Sequence, residues 1–271
     1  MKLHQTMLCM QSLLIMIAGV YEIDLDTGEV RTLTRQNEQV FSMAYDHKKR
    51  YVYVPRYSTG DIVRFPYPNN HTVMLGTIVS TIYPVGIAFD SVNSHLYWTE
   101  ISPGRIMRCN PDGSDVTILL NENKPTALTL DIQNRWIYYA QQLSPSEIFR
   151  TNFDGMDKRV IIKNLTTYVL GIGVDVDVER LYWMEYYTGD LQSAWDNGSD
   201  VKTIISTNVT IENWDIDMDE DFIFYTSYNQ IIKINKFLGQ IPTVVHTDTQ
   251  RIYGVLLYKQ DGKNTSIRNT I

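Results

Sequence analysis

The sequence predicts an all-β fold built from repeated four-stranded antiparallel sheets, because an aromatic motif and an aspartate recur together along the chain. The aromatic anchor of the motif occurs five times, with spacings of 44, 41, 44 and 42 residues. The anchors are Tyr53, Tyr97, Tyr138, Tyr182 and Phe224. An aspartate stands seven residues before each anchor. These aspartates are Asp46, Asp90, Asp131, Asp175 and Asp217. A repeat of this length, rich in strand-forming residues, is typical of one blade of a β-propeller.

The segment before each aspartate alternates small and large residues, which is the period-two pattern of a β-strand. Four residues before the aspartates stand Ser42, Gly86, Ala127, Gly171 and Asn213. The residues that follow them, such as Met43 and Ile87, are large and apolar. One crowded face and one apolar face suit the innermost strand of a blade, where strands converge on a narrow axis.

Two further strands are predicted after the strand that carries each anchor. An apolar residue such as Ile106 opens the third strand. The turn pairs Asp112-Gly113 and Asn197-Gly198 then precede β-branched runs, and such pairs favour hairpins because they tolerate positive φ. Each unit is therefore predicted to form four antiparallel strands.

The ends of the chain are predicted to share one blade. Residues 40–247 hold five complete units, and the segment from Leu13 to Arg35 supplies the later strands of a sixth. The segment from Tyr253 to Tyr258 supplies the missing inner strand. We therefore expect a six-bladed β-propeller of four-stranded blades, closed by the N- and C-terminal strands. Such closure removes exposed sheet edges.

The expected domain is a single propeller over residues 13–260. Residues 1–12 form an N-terminal segment, and residues 261–271 form a C-terminal tail. The first 19 residues also have the charge, apolar stretch and small residues of a signal peptide. Closure instead requires Leu14 to Ala18 as a strand, and we favour the strand.

Composition limits the function classes. The net charge of −7 argues against a nucleic-acid partner, which would require a basic face. No stretch of about 20 apolar residues is present, so we expect no direct membrane insertion. The two cysteines, Cys9 and Cys109, cannot build a disulfide framework or a zinc site.

Five N-x-S/T sequons indicate a glycoprotein, and all are expected in turns, linkers or the tail. They are Asn70, Asn164, Asn197, Asn208 and Asn264.

The blade around Tyr97 resembles a known family. Its Leu96-Tyr97-Trp98-Thr99-Glu100 segment, followed by Arg105 to Arg108 and by Asp112-Gly113, is similar to the Tyr-Trp-Thr-Asp repeat of low-density lipoprotein receptors, the class B repeat. The resemblance covers nearly the whole chain, and it implies a six-bladed propeller in an extracellular receptor or matrix protein. It also implies ligand binding, endocytic ligand release or Wnt co-reception. The last acid of the motif is lost at Arg56, Gln141 and Ser227.

The repeated residues are expected to be structural. The five aspartates should end the inner strands and bond to backbone in the turns, since buried carboxylates must be hydrogen-bonded. Arg64, Arg108 and Arg150 should brace strands or blades. We expect no metal and no cofactor. The remaining structural motif residues are Tyr97, Trp98, Tyr138, Tyr182 and Trp183.

A ligand-binding rim is expected where the loops before the first strand meet those after the second. Its aromatic candidates are Phe41, Tyr57, Tyr83, Tyr168, Tyr186, Trp214, Tyr228 and Tyr253. Tyrosine and tryptophan dominate binding hot spots, although about half of these rings should pack between blades. Glu100, Glu185 and Glu212 could add acidic contacts.

The sequence therefore predicts an extracellular, monomeric module that binds an unidentified protein ligand, without catalytic residues. No nucleophile elbow, phosphate loop or zinc-protease motif is present. One alternative is a six-bladed lactonase or other hydrolase with an axial metal, for which Asn213 and Asp215 are the suggestive residues. Another is a structural spacer in a matrix protein. His95 and His246 could sense pH.

Overall fold

The structure, a computed structural model, describes 10–16, 19–35, 38–207, 212–237, 239 and 241–259, with side chains from residue 19 to residue 258. These residues form 24 β-strands in six four-stranded antiparallel sheets. Consecutive strands pair in every sheet, as hairpin connections require.

Five sheets are blades made from one continuous segment each. Blade 1 contains β4 (Ala44–Asp46), β5 (Tyr51–Arg56), β6 (Asp61–Pro66) and β7 (Gly76–Ser80). Blade 2 contains β8 (Pro84–Asp90), β9 (His95–Glu100), β10 (Arg105–Cys109) and β11 (Thr117–Asn121). Blade 3 contains β12 (Pro125–Asp131), β13 (Trp136–Gln141), β14 (Ser146–Asn152) and β15 (Arg159–Leu165). Blade 4 contains β16 (Val169–Asp175), β17 (Arg180–Glu185), β18 (Asp190–Trp195) and β19 (Lys202–Ser206). Blade 5 contains β20 (Asn213–Met218), β21 (Phe222–Ser227), β22 (Gln230–Asn235) and β23 (Thr243–Thr247).

The remaining sheet, the closing sheet, joins both ends of the described chain. Its order is β24 (Ile252–Lys259), β1 (Met10–Met16), β2 (Gly19–Asp24) and β3 (Val30–Arg35). β24 pairs antiparallel with β1, with Leu14 opposite Val255. The closing strand begins at Met10, before the domain boundary at residue 13 and the strand at Leu14 that the repeat predicted.

The expectation of six blades is corrected in one respect. Five blades, not six, are single continuous units whose backbone and side chains are both described. The closing sheet is composite, and the side chains of β1 lie outside the described residues. The all-β propeller with four-stranded blades stands.

The small residues of the inner strands allow neighbouring blades to approach closely. A Cβ atom added to Gly86 in β8 would lie 2.4 Å from the carbonyl oxygen of Thr126 in β12. A Cβ atom added to Gly171 in β16 would lie 2.7 Å from the backbone nitrogen of Ile216 in β20. The crowded face of the inner strand that the sequence predicted therefore packs against the backbone of the next blade.

The predicted turn role of the aspartates is observed in four blades. The Oδ1 atom of Asp90 accepts hydrogen bonds from the amides of Val92 and Asn93, at 2.9 and 3.2 Å. Bonds to turn amides also form at Asp46, Asp131 and Asp175. Asp90 Oδ2 additionally binds Arg135 of blade 3 at 2.9 Å, which joins two blades.

In blade 5 the prediction that Asp217 binds the turn amides is wrong. Asp217 stands opposite the anchor Phe224, the place that Ala88 holds opposite Tyr97 in blade 2. The hairpin of blade 5 is shorter, so Asp219 accepts the two turn amides, at 2.9 and 2.7 Å. The constant seven-residue offset was a coincidence at this position.

The motif aromatics and Arg64 have the structural roles that the sequence predicted. The side chains that are at most 3% exposed include Tyr97, Trp98, Tyr138, Tyr182 and Trp183. Arg64 of blade 1 donates to the carbonyl oxygen of Pro111 in blade 2 at 2.7 Å. Its guanidinium also lies 4.7 Å from the ring centroid of Tyr51.

Candidate functional site

Eight aromatic rings form one contact network at the rim where the second strands of the blades end. We call this network the aromatic rim cluster. Its members are Phe41, Tyr57, Tyr83, Tyr168, Tyr186, Tyr187, Trp214 and Tyr253. Seven of them were predicted from the sequence, and the structure brings those seven together.

The centre of the cluster comes from three consecutive sheets. Phe41, Trp214 and Tyr253 lie at or just before the inner strands of blade 1, blade 5 and the closing sheet. The ring of Trp214 lies 5.2 Å from that of Phe41 and 4.9 Å from that of Tyr253. These three residues meet only because the ends of the chain pair, so closure builds the centre of this surface.

Two tyrosine groups extend the cluster on either side. Tyr57 lies 5.1 Å from Tyr83, which is 45% exposed. On the other side Tyr168 stacks on Tyr186 at 4.8 Å, and Tyr187 is 50% exposed. Sequence reasoning missed Tyr187, although it directly follows a predicted rim residue.

The members differ in exposure, as expected for rings that also pack between blades. Tyr186 and Tyr253 are 5% and 3% exposed, whereas Phe41 and Trp214 are half-buried. Burial raises the pKa of Tyr186, and neighbouring Glu212 adds to this, so its hydroxyl stays neutral. Trp214 is therefore a better probe of binding than Tyr186, whose removal would leave a core cavity.

Tyr228 lies outside the cluster's ring contacts. Its ring is 45% exposed and carries the guanidinium of Arg251 at 5.2 Å from its centroid. Arg251 also forms an ion pair of 2.7 Å with Glu212, so the predicted acidic contact at Glu212 is neutralised within the chain.

The two predicted motif acids are buried, so they do not stand open on the rim. Glu100 and Glu185 are each 2% exposed. Glu100 forms an ion pair of 2.5 Å with Arg105, which follows it across the hairpin. Glu185 accepts hydrogen bonds from Thr166 and Thr167, as Glu100 does from Thr81 and Ile82, but it has no such cation among the described residues.

A cavity of about 600 Å³ runs along the propeller axis and is lined by inner strands of all six sheets. Its carboxylates are Asp215, Asp217, Asp219 and Glu220, all from blade 5 or its hairpin. No group of three or more metal-ligating side chains is found in the described part of the chain.

Two of these carboxylates fasten β20 to the closing sheet. Asp215 Oδ2 accepts a hydrogen bond from the amide of Val255 at 3.1 Å, and Asp217 Oδ2 accepts one from the amide of Leu257 at 2.7 Å. Burial raises the pKa of Asp217 to about 6, and it raises the pKa of Asp215 well above its usual range. Side-chain hydrogen bonds therefore join blade 5 to β24. At Gly86, in contrast, β8 packs directly against the backbone of β12.

The sequons and the buried thiol have defined places. Asn70 and Asn197 are exposed outside strands, as predicted, but Asn164 lies in strand β15, not in a turn, a linker or the tail. Asn208 and Asn264 lie outside the described residues. Cys109 is buried, and burial raises the pKa of its thiol to about 12.

Comparisons with known proteins agree with this fold. No protein-family model matches the chain. The vitellogenin receptor of Solenopsis invicta is 23% identical over 191 residues, which are 69% of this chain. The resemblance to the low-density lipoprotein receptor class B propeller is confirmed. The chain spans about 10% of that receptor's length.

Two solved structures share the fold. A chain of a nidogen/laminin complex superposes with a TM-score of 0.82 at 17% identity, over 92% of this chain and 98% of the other. A gluconolactonase of Xanthomonas campestris gives a TM-score of 0.66 at 13% identity, over 80% and 78% of the two chains. None of the described segments is a helix of the length and apolarity needed to cross a membrane.

Proposed function

We propose that this class B propeller is an extracellular, non-enzymatic module that binds a protein ligand on the aromatic rim cluster. The observation that carries the proposal is the network of eight rings, which reaches from the buried Tyr253 to the exposed Tyr83 and Tyr187. Aromatic residues supply large, rigid contact area and are enriched in interface hot spots.

The packing of the cluster supports recognition by a preformed surface. Phe41, Trp214 and Tyr253 hold one another at centroid distances of 4.9–5.8 Å, so little side-chain entropy is lost when a ligand docks. A partly exposed group of rings at strand ends and in loops, held by a rigid sheet scaffold, is a usual setting of a binding surface.

The relatives support the extracellular setting. One is named as a receptor, and one structural neighbour is a nidogen/laminin complex. Ligand capture by a monomeric ectodomain module is the role that these features favour. Endocytic ligand release and Wnt co-reception are narrower versions of that role.

The axial cavity favours binding over catalysis. Its four carboxylates come from one blade, and Asp215 and Asp217 already accept backbone amides of β24. An oxygen-ligated divalent cation draws six to eight ligands, usually from several elements. We therefore expect no heat of binding when the protein is titrated with calcium in a calorimeter. Saturable binding that Asp215→Asn abolishes would support the hydrolase alternative.

Selection from a phage-displayed random peptide library tests the rim directly. Peptides selected on the folded protein should bind Trp214→Ala at least tenfold more weakly, because a hot-spot tryptophan contributes more than about 1.4 kcal/mol. The matched control is Trp195→Ala. Trp195 is 40% exposed at the opposite end of blade 4, and its loss should leave affinity unchanged. Peptides that bind Trp214→Ala as tightly as the wild type would refute the placement.

A further inference from the structure

The second and third strands of each continuous blade are joined by a hairpin flanked by two facing residues. One of these residues ends the second strand and the other begins the third, so each continuous blade contributes one pair. The pairs are Arg56 and Asp61, Glu100 and Arg105, Gln141 and Ser146, Glu185 and Asp190, and Ser227 and Gln230. Two pairs are opposite in charge, two are neutral, and the pair of blade 4 is acidic on both sides.

The oppositely charged pairs are ion pairs in the structure. Arg56 lies 2.5 Å from Asp61, and Arg105 lies 2.5 Å from Glu100. The order of charge is reversed between them, so in these two hairpins the charges are compensated whichever strand carries the acid. Blade 4 lacks this compensation, because Asp190 occupies the place of Arg105.

Glu185 is surrounded by neutral donors. Its oxygens accept hydrogen bonds from Gln192 Nε2 at 3.0 Å, from the Thr167 amide at 3.2 Å and from the Thr166 hydroxyl. No described lysine, arginine or histidine lies within 4.0 Å of it. Asp190 accepts a bond of 2.5 Å from Ser206 and adds a second negative charge.

A buried hydroxyl next to Glu185 has no hydrogen-bond partner. The Thr167 side chain is 9% exposed, and its hydroxyl has no hydrogen-bond partner, although its own amide donates to Glu185. A buried hydroxyl without a partner costs about 1–3 kcal/mol. Thr167 does not line the groove between blades 3 and 4, so the acceptor that a ligand with N–H donors would reach there is the Glu185 carboxylate.

The environment of Glu185 is unfavourable for an isolated charge. Burial raises the pKa of its carboxyl, and the Asp190 carboxylate adds to the rise. An incoming cation would stabilise the ionised form of Glu185.

A groove gives access to this carboxylate. A cavity of about 240 Å³ lies between blades 3 and 4, and Glu185, Thr166, Asn164 and Lys163 line it. Tyr186 follows Glu185 in the chain and belongs to the aromatic rim cluster.

We propose that this groove, the cation socket, receives a lysine or arginine side chain of the docked protein. The proposal rests on the proposed function, and it adds that the partner presents a basic residue beside the segment that covers the aromatic rim cluster. The net charge of −7 favours approach of such a partner.

The test uses N-acetyl-arginine amide, with the neutral isostere N-acetyl-citrulline amide as the matched probe. The arginine compound should shift the amide resonances of Thr166 and Thr167 in a saturable titration, and the citrulline compound should not. Glu185→Gln keeps the shape of the side chain, and its single oxygen can still accept the Thr166 and Thr167 bonds, so the lost charge should weaken the response at least tenfold. Equal responses to both compounds, or an unchanged response in Glu185→Gln, would overturn the proposal.

Two further variants identify the occupant of the socket. Asp190→Arg copies the pair of blade 2, so it should raise the melting temperature at neutral pH and block the arginine compound. Lys163→Ala should leave the titration unchanged. Binding that appears only in Lys163→Ala would show that the chain's own lysine fills the socket, which overturns the proposal.

The experiments separate the two proposals. The arginine compound should bind Trp214→Ala like the wild type, because the socket does not require that ring. If the arginine compound does not bind but library peptides still depend on Trp214, the cation socket is rejected and the proposed function is retained. Library peptides that ignore Trp214 would reject the rim whatever the socket does.

Discussion

Gly86→Ala is expected to lower the free energy of unfolding by about 2–3 kcal/mol, the cost of overpacking a close-packed interior. The added methyl group would lie 2.4 Å from the Thr126 carbonyl oxygen and 3.0 Å from the Leu128 nitrogen. Both are backbone atoms of the next blade, so no side-chain rotation relieves the clash. Urea denaturation monitored by tryptophan fluorescence measures the change.

Gly76→Ala is the matched control for this substitution. Gly76 also lies in a strand, but an added Cβ atom would meet nothing closer than the Arg64 carbonyl oxygen at 3.8 Å. We expect a change within about 0.5 kcal/mol, as for ordinary surface sites. Equal destabilisation of both variants would show that the blades do not approach each other at Gly86 as described.

Asp217→Asn is expected to remove a pH dependence of stability. The pKa of Asp217 is raised by burial from 3.8 to about 6 in the folded protein. The folded state then holds this proton more tightly than the unfolded chain, so the contribution to the free energy of unfolding falls as the pH rises from about 4 to about 6. Above that range it is constant.

The measurement is the difference in unfolding free energy between wild type and Asp217→Asn, followed from pH 4 to pH 7. The asparagine can still accept the Leu257 amide, and the variant should gain stability relative to the wild type as the pH rises. Asp154→Asn, at an exposed hairpin turn, is the matched control. A pH-dependent difference for Asp217→Asn no larger than that of the control would contradict the placement of its carboxylate against β24.

Most of the fold could be predicted because the repeat couples local pattern to topology. Five copies of one anchor define five hairpins, and the leftover strands at Leu14 and Gly254 are left to pair with each other. The error at Asp217 has a physical cause, because the hairpin of blade 5 is shorter and turn length is not visible in a fixed offset. The pairing register of β20 with β21, not the spacing along the chain, makes Asp219 the residue that accepts the turn amides.

The sequence predicted which aromatic residues form the site, but it did not predict how the acidic residues near it are paired. Residues before the first strands and after the second strands converge in any propeller, so the rings of the aromatic rim cluster could be placed together from sequence. The burial of Glu100 depends on its register with Arg105 across the hairpin. The contrast with Glu185 appears only when both strand ends are known.

Pairing of β24 with β1 is the central claim, since it brings Phe41, Trp214 and Tyr253 together. Hydrogen–deuterium exchange of the native protein tests it most directly. Amides of residues 254–258 lie against β1 or against Asp215 and Asp217, so they should exchange as slowly as those of the buried strand β13. Exchange as fast as in the outer strand β11, with β13 still protected, would contradict closure and the aromatic rim cluster with it.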